Sequence, residues 1–205
     1  MSYVKEIRCW KSGEIVTDGA PITCEPGDFP EVHYDLSRLA EAFDRDRIAT
    51  GTNSLWRYWP LLPAFNPSNV VSLGEGWTPM LSAPCLAESI GCKDLWIKDE
   101  GQNPSGTFKD RGASVSITRL RELGISAVVE NSSGNAAAAW GMYAARAGIK
   151  CVNLVPTDIL PASLYQSAHS GADTVVLDGP WQQSGAMVAE AAVKMDWFNV
   201  STFKE

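Results

Sequence analysis

From residue 95 onward the chain repeats one pattern. A short β-favouring run leads into a polar turn and then into a stretch with helical periodicity. The runs are LWIKDE (95–100), AVVENS (127–132), CVNLVP (151–156), TVVLDG (174–179) and FNVST (198–202). Helical stretches at 109–123, 134–147, 162–170 and 182–195 separate them. In the first of these, Ala113, Ile117 and Leu120 fall at i, i+4 and i+7, and Gly124 follows as a stop. The second, AAAAWGMYAARAG, is rich in alanine and ends at Gly148. From 127 the runs recur roughly every 24 residues, room for one strand and one crossover helix. Such spacing implies βαβ units, hence an α/β fold with a parallel sheet and flanking helices.

The first 95 residues read differently, being rich in Pro, Trp and turn residues. LSRLAEAFDRDR (36–47) is their one clear helical candidate. WRYWPLLPAFNP (56–67) is aromatic and proline-rich, which suits an irregular packed segment better than a strand or helix. It is too apolar for a free linker and is expected to wrap onto the βα core or onto another subunit, so a homo-oligomer stays open.

Charge and composition exclude several classes. The net charge is −7, and no basic run or aromatic-basic stripe appears, which argues against a nucleic-acid or anionic-membrane surface. No apolar stretch reaches the length of a transmembrane helix, and the opening MSYVKEIRCW lacks the apolar core of a signal peptide. Five cysteines (Cys9, Cys24, Cys85, Cys92, Cys151) at irregular spacing read as reduced thiols in a cytoplasmic protein.

Two turns carry candidate chemistry. In NPSGTFKDRG (103–112), Thr107 and Asp110 have the spacing of a capping box, which places Lys109 at a helix start. The helix dipole and partial burial beside Phe108 would both favour the neutral amine, the form that attacks an aldehyde. Position alone equally suits a lysine that merely begins a helix. In the next turn, AVVENSSGNAAAAWG, a strand passes through Ser132, Ser133, Gly134 and Asn135 into a helix. Two hydroxyls and free helix-start amides can hold a carboxylate, and the asparagine amide can donate to a phenolate-like oxygen. An ordinary serine cap would look the same locally. Both turns are expected at the carboxyl edge of the sheet, where ligands bind.

These residues resemble the pyridoxal-phosphate enzymes of the tryptophan-synthase-β-like fold (fold type II), and among them the threonine synthases. SLGEGWTPML (72–81) looks like the family's GEGxTPL segment, and LWIKDEGQNPSGTFKDRG (95–112) like its strand and lysine motif. ENSSGNAAAAWGMYAARAGI (130–149) is similar to the asparagine loop and its helix, and CVNLVP to the strand after it. The resemblance implies pyridoxal 5'-phosphate as cofactor, joined through an imine to Lys109. It implies Asn135 bonding the cofactor's ring oxygen, with Phe108 shaping the cofactor side. It also implies Ser132, Ser133 and the amides of 133–136 holding the substrate carboxylate.

Departures from the family pattern matter as much. The asparagine loop usually continues with threonine, and here the residue is Ala136. Relatives often begin with two CxxC knuckles of a zinc ribbon, whereas RCWKSG and TCEPGD keep only Cys9 and Cys24. With His33 they fall short of four ligands, so no structural metal is expected. The family's glycine-rich cradle for the cofactor phosphate belongs to a later part of the fold, and no such loop appears here. The chain is therefore read as the first half of a two-domain fold. Residues 1–125 would supply part of the larger domain, 126–205 the small α/β domain, and the carboxyl-terminal half would be absent.

Functionally, the resemblance implies threonine synthase, turning O-phosphohomoserine and water into threonine and phosphate, with this half inactive alone. Its partner is a small amino-acid phosphate. Alternatives are a β-replacement enzyme such as cysteate synthase, or a non-catalytic domain that associates with itself through the Trp56 and Trp59 region.

Overall fold

The computed structural model describes residues 2–16, 24 and 27–201. Thr202, the end of the last sequence-derived strand, lies outside the described residues, as do parts of TCEPGD. At the amino terminus β1 (Val4–Cys9) and β2 (Pro30–Tyr34) pair antiparallel, and two short helices, α1 (Leu36–Ala42) and α2 (Arg45–Ala49), follow. The sequence suggests one helix over 36–47, but the chain breaks at Phe43 and restarts. The Asp44 carboxylate accepts from the Asp46 and Arg47 amides and so caps a new helix instead of continuing the old one.

The 56–67 segment is irregular, as its composition implies, with a 3-10 stretch at Leu55–Leu61. It is mostly packed: Ala64 is fully buried, and Glu122 accepts from the Phe65 and Asn66 amides at 2.8 and 2.7 Å. Trp56 is buried, so one of the two tryptophans offered as an interface faces the interior. Apolar side chains are exposed instead on a two-stranded antiparallel ribbon of β3 (Met80–Ser82) and, after helix α3 (Pro84–Ser89), β4 (Trp96–Lys98). Its Met80, Leu81, Trp96 and Ile97 are each about half exposed. LWIKDE thus forms a strand, but one outside the parallel sheet.

The rest is the expected α/β alternation. Helix α4 (Lys109–Glu122) leads to β5 (Ala127–Asn131), α5 (Asn135–Ala147), β6 (Lys150–Pro156), α6 (Pro161–His169), β7 (Asp173–Leu177), α7 (Ser184–Met195) and β8 (Phe198–Asn199). The four strands pair parallel in the order β7-β6-β5-β8. Central β5 opens with three consecutive apolar residues, Ala127, Val128 and Val129, and its first four residues are all buried because both its faces are covered. The main core joins Ile117 and Leu120 of α4, Val128, the α5 residues Trp140, Tyr143 and Ala144, and Val200. The alanines of α5 let neighbouring elements approach closely. At Gly141 even a methyl group would sit 1.9 Å from Ser170 Oγ, so the helix accepts a poor helix former for the sake of contact.

One cysteine reading is corrected. Cys9 and Cys24 are joined in a disulfide with Cα atoms 5.7 Å apart, whereas Cys85, Cys92 and Cys151 are free thiols. Residue 24 returns to the end of β1, and two thiols 15 residues apart in sequence become neighbours in space. Spacing along the chain does not reveal that return.

Candidate functional site

Lys109 opens α4 at the end of a tightly wired loop. Asn103 Oδ1 accepts from Gly76 N at 2.9 Å, and its amide nitrogen donates to Glu100 Oε2 at 3.0 Å. Gln166 of α6 donates to the Ser105 carbonyl at 2.7 Å, tying the loop to the small sheet. The capping box forms differently from its sequence reading. Thr107 Oγ1 accepts from Lys109 N at 3.2 Å, but the Asp110 carboxylate turns back to Ser105 N at 2.7 Å. The turn at 105–108 carries the Ser105 amide under the helix start, so it takes the acceptor that a box would give to Thr107. Asp110 is fully buried, and its Oδ1 has no hydrogen-bond partner among the described residues. Burial pushes its carboxyl above the ordinary value, and the nearby Glu75 charge adds to this against the opposing Ser105 bonds.

The loop is braced from behind by Arg111, which meets Glu100 at 2.7 Å through both Nε and Nη2. Thr78 Oγ1 donates to Glu100 at 2.7 Å. The guanidinium, with Thr78 and Asn103, holds the Glu100 carboxyl at about 2, below its ordinary 4.5. A depressed folded value means that Glu100 stabilises the fold above about pH 4.5, and that this contribution is lost as pH falls toward 2. Glu100→Gln is therefore expected to cost about 2 kcal/mol at pH 7 and progressively less below pH 4. Urea unfolding of both proteins from pH 7 to 2.5 checks this, and a pH-independent difference would contradict it.

Lys109 and the second turn share one cavity of about 570 Å³. Lys109, Ser132, Ser133, Gly134, Asn135 and Ala136 all line it. Ser132 is buried, and its Oγ accepts from the Gly134 and Ala137 amides at 3.2 Å each. That oxygen donates to no described residue, which leaves its proton for a ligand. The Ser133 and Asn135 side chains are exposed to the cavity, and the first amides of α5 have no intrahelical acceptor. Lys109 is half-buried and forms no ion pair among the described residues.

Phe108 is the exception among the sequence-derived residues. It is 58% exposed, does not line the cavity, and stands with its ring centroid 5.4 Å from Lys109 Nζ. Phe108 therefore stands beside the lysine's amine but outside the cavity lining. The two turns also converge by a route other than the one expected. β4 lies outside the parallel sheet, so Lys109 is not at that sheet's edge through its own strand. It reaches the cavity because α4 packs along α5.

Sequence reasoning missed Asn131, Leu160, Ser163, Trp181 and Ser201, which complete the lining. Each lies at or just beyond the carboxyl end of a parallel strand: β5, β6, β7 or β8. Applying the strand-end rule to every strand, and not only to the turn with recognisable chemistry, would have found them. Leu160 and Trp181 add an apolar wall to an otherwise polar chamber.

The description "Pyridoxal-phosphate dependent enzyme" belongs to the family profile that matches residues 71–205. The chain belongs to the pyridoxal-phosphate-dependent enzymes. Its relatives include the threonine synthase of Methanocaldococcus jannaschii, 35% identical over 91% of this chain and 46% of that protein. The threonine synthase of Methanosarcina acetivorans is 36% identical over 92% of this chain and 45% of that protein. Maize serine racemase superposes with a TM-score of 0.55 at 27% identity, covering 60% of this chain and 37% of that one. The chain thus spans about half the length of the curated relatives it matches. The cofactor of the family is pyridoxal 5'-phosphate, and an amine, an amide donor and an anion-binding turn around one cavity suit its aldehyde and ring oxygen. Among the described residues no helix is long and apolar enough to cross a membrane.

Proposed function

We propose that this chain supplies the lysine-bearing part of a threonine synthase, an enzyme converting O-phosphohomoserine and water into threonine and phosphate. The observation that carries the reading is the meeting of Lys109 with the Ser132–Ala136 turn in one cavity. The named threonine synthases that align over nine-tenths of the chain support the choice of substrate.

In this reading pyridoxal phosphate supplies the electron sink that makes an amino-acid carbon acidic. The chain's own residues do the rest. Lys109 would hold the cofactor through its aldehyde, and its amine would move protons between substrate carbons. Asn135 donates to the ring oxygen and fixes the ring's orientation. Ser132 Oγ–H, Ser133 and the helix-start amides of α5 hold the substrate carboxylate, with the positive end of the helix adding to the attraction. Ala136 contributes only its backbone N–H, where a threonine would add a hydroxyl. Leu160 and Trp181 limit water at the chamber's rim. The substrate's phosphate is the leaving group, and water adds at the β carbon.

The assay supplies the protein with pyridoxal phosphate and measures phosphate released from O-phosphohomoserine together with threonine formed. Release from O-phosphoserine only when sulfite is present would point to β-replacement instead. No release from either substrate by the chain complemented with the carboxyl-terminal half that this reading requires, with cofactor bound, would overturn it.

A further inference from the structure

The GEG segment that helped to identify the family has no part in the chemistry above, yet its glutamate is the most heavily bonded side chain near the site. Glu75 is fully buried. Its Oε1 accepts from Trp56 Nε1 at 2.9 Å and from Ser114 Oγ at 2.5 Å. Its Oε2 accepts from Tyr143 OH at 2.7 Å, Leu73 N at 2.9 Å and Ser72 Oγ at 3.2 Å. No basic side chain forms an ion pair with it among the described residues. A buried carboxylate without a cation persists only where donors replace water on both oxygens, and five donors do so here.

The location of those donors matters. Ser114 lies on α4, five residues beyond Lys109, and Tyr143 lies on α5, eight residues beyond Asn135. One carboxylate therefore holds both helices whose first turns make the cavity. The next residue of the segment, Gly76, donates to Asn103 in the lysine loop. We propose that Glu75 is a positioning residue that sets Lys109 against the Ser132–Ala136 turn. The inference rests on the functional reading above for its purpose, but the geometry it describes belongs to the chain without cofactor.

Glutamine cannot replace it. Trp56 N–H and Leu73 N–H are fixed donors that face different oxygens of Glu75. Whichever oxygen becomes an amide nitrogen, one of these donors faces another donor: Leu73 N–H loses its acceptor, or Trp56 N–H keeps only Ser114 Oγ, at 3.0 Å. The hydroxyls of Ser114, Tyr143 and Ser72 can turn, but the two N–H groups cannot. Each helix should then loosen at its own first turn, while β6, which has no bond to Glu75, keeps its order.

Hydrogen–deuterium exchange of the full chain without cofactor tests this. Glu75→Gln should speed exchange of amides 105–112 and 132–138 by about tenfold each, with β6 unchanged. Tyr143→Phe, which keeps the carboxylate and removes one hydroxyl, should speed only the α5 turn, and Ser114→Ala only the α4 turn. With pyridoxal phosphate and borohydride, Glu75→Gln should also lower labelling of Lys109 by about tenfold at limiting cofactor. Uniform acceleration in Glu75→Gln, or no acceleration, would overturn the positioning role, as would equal loosening of both turns by Tyr143→Phe. A wild-type chain that Lys109 labelling never marks would count against the functional reading, and the exchange pattern would still decide this one.

Discussion

Lys109→Ala is expected to abolish the yellow adduct with pyridoxal phosphate and, in the complete enzyme, to lower threonine formation by on the order of 10³-fold or more. The loss comes from chemistry and not from folding. Lys109 is half-buried, pairs with no carboxylate among the described residues, and contributes only a ring contact at 5.4 Å. Unfolding free energy should therefore change by under about 0.5 kcal/mol, as for an ordinary surface position. Lys109→Arg should fail equally, because a guanidinium keeps the charge but is no nucleophile at neutral pH. Borohydride reduction followed by peptide mapping checks the assignment. Labelling of another lysine in a fully active Lys109→Ala protein would remove Lys109 from the mechanism.

Gly76→Ala is expected to cost about 3–4 kcal/mol, the largest stability effect of a one-methyl change near the site. Gly76 sits at φ +85°, a conformation that an L side chain adopts only with strain. An added Cβ would stand 2.6 Å from Leu55 N and 3.1 Å from Leu55 Cα. Both contacts are backbone, so no rotamer change relieves them. The same Leu55 amide donates to the Glu75 carbonyl at 2.7 Å, a bond the methyl would force open. Urea unfolding measures the effect, and a loss below about 1 kcal/mol would show that the 54–57 segment yields more easily than its packing suggests.

The candidate site was legible in unequal parts. Lys109 and Ser132–Ala136 stood out because turn chemistry is local: a small residue, a hydroxyl and a helix start are neighbours in sequence. Asp110 misled for a similar reason. Its spacing from Thr107 fits a capping box, but the Ser105 amide is closer in space and takes the carboxylate. Trp181 and Ser201 carry no distinctive turn chemistry, and only their position just beyond a strand's carboxyl end marks them. Phe108 looked useful because it adjoins Lys109, yet its exposed ring meets the lysine's amine from outside the cavity lining.

By itself the sequence determined the alternation of strand and helix from residue 127 onward, and with it a parallel sheet whose carboxyl edge would hold a site. Periodicity and turn residues act over one or two turns of chain, and these are enough to specify each element. Only the tertiary structure decided which elements meet. It placed β4 in a ribbon with β3 instead of in the sheet, and it brought Cys24 back to Cys9. It also buried Glu75, which stands between two glycines in sequence, under donors 39 and 68 residues away. Such contacts depend on how distant segments share a core and satisfy one another's polar groups, and no window of neighbouring residues contains that information.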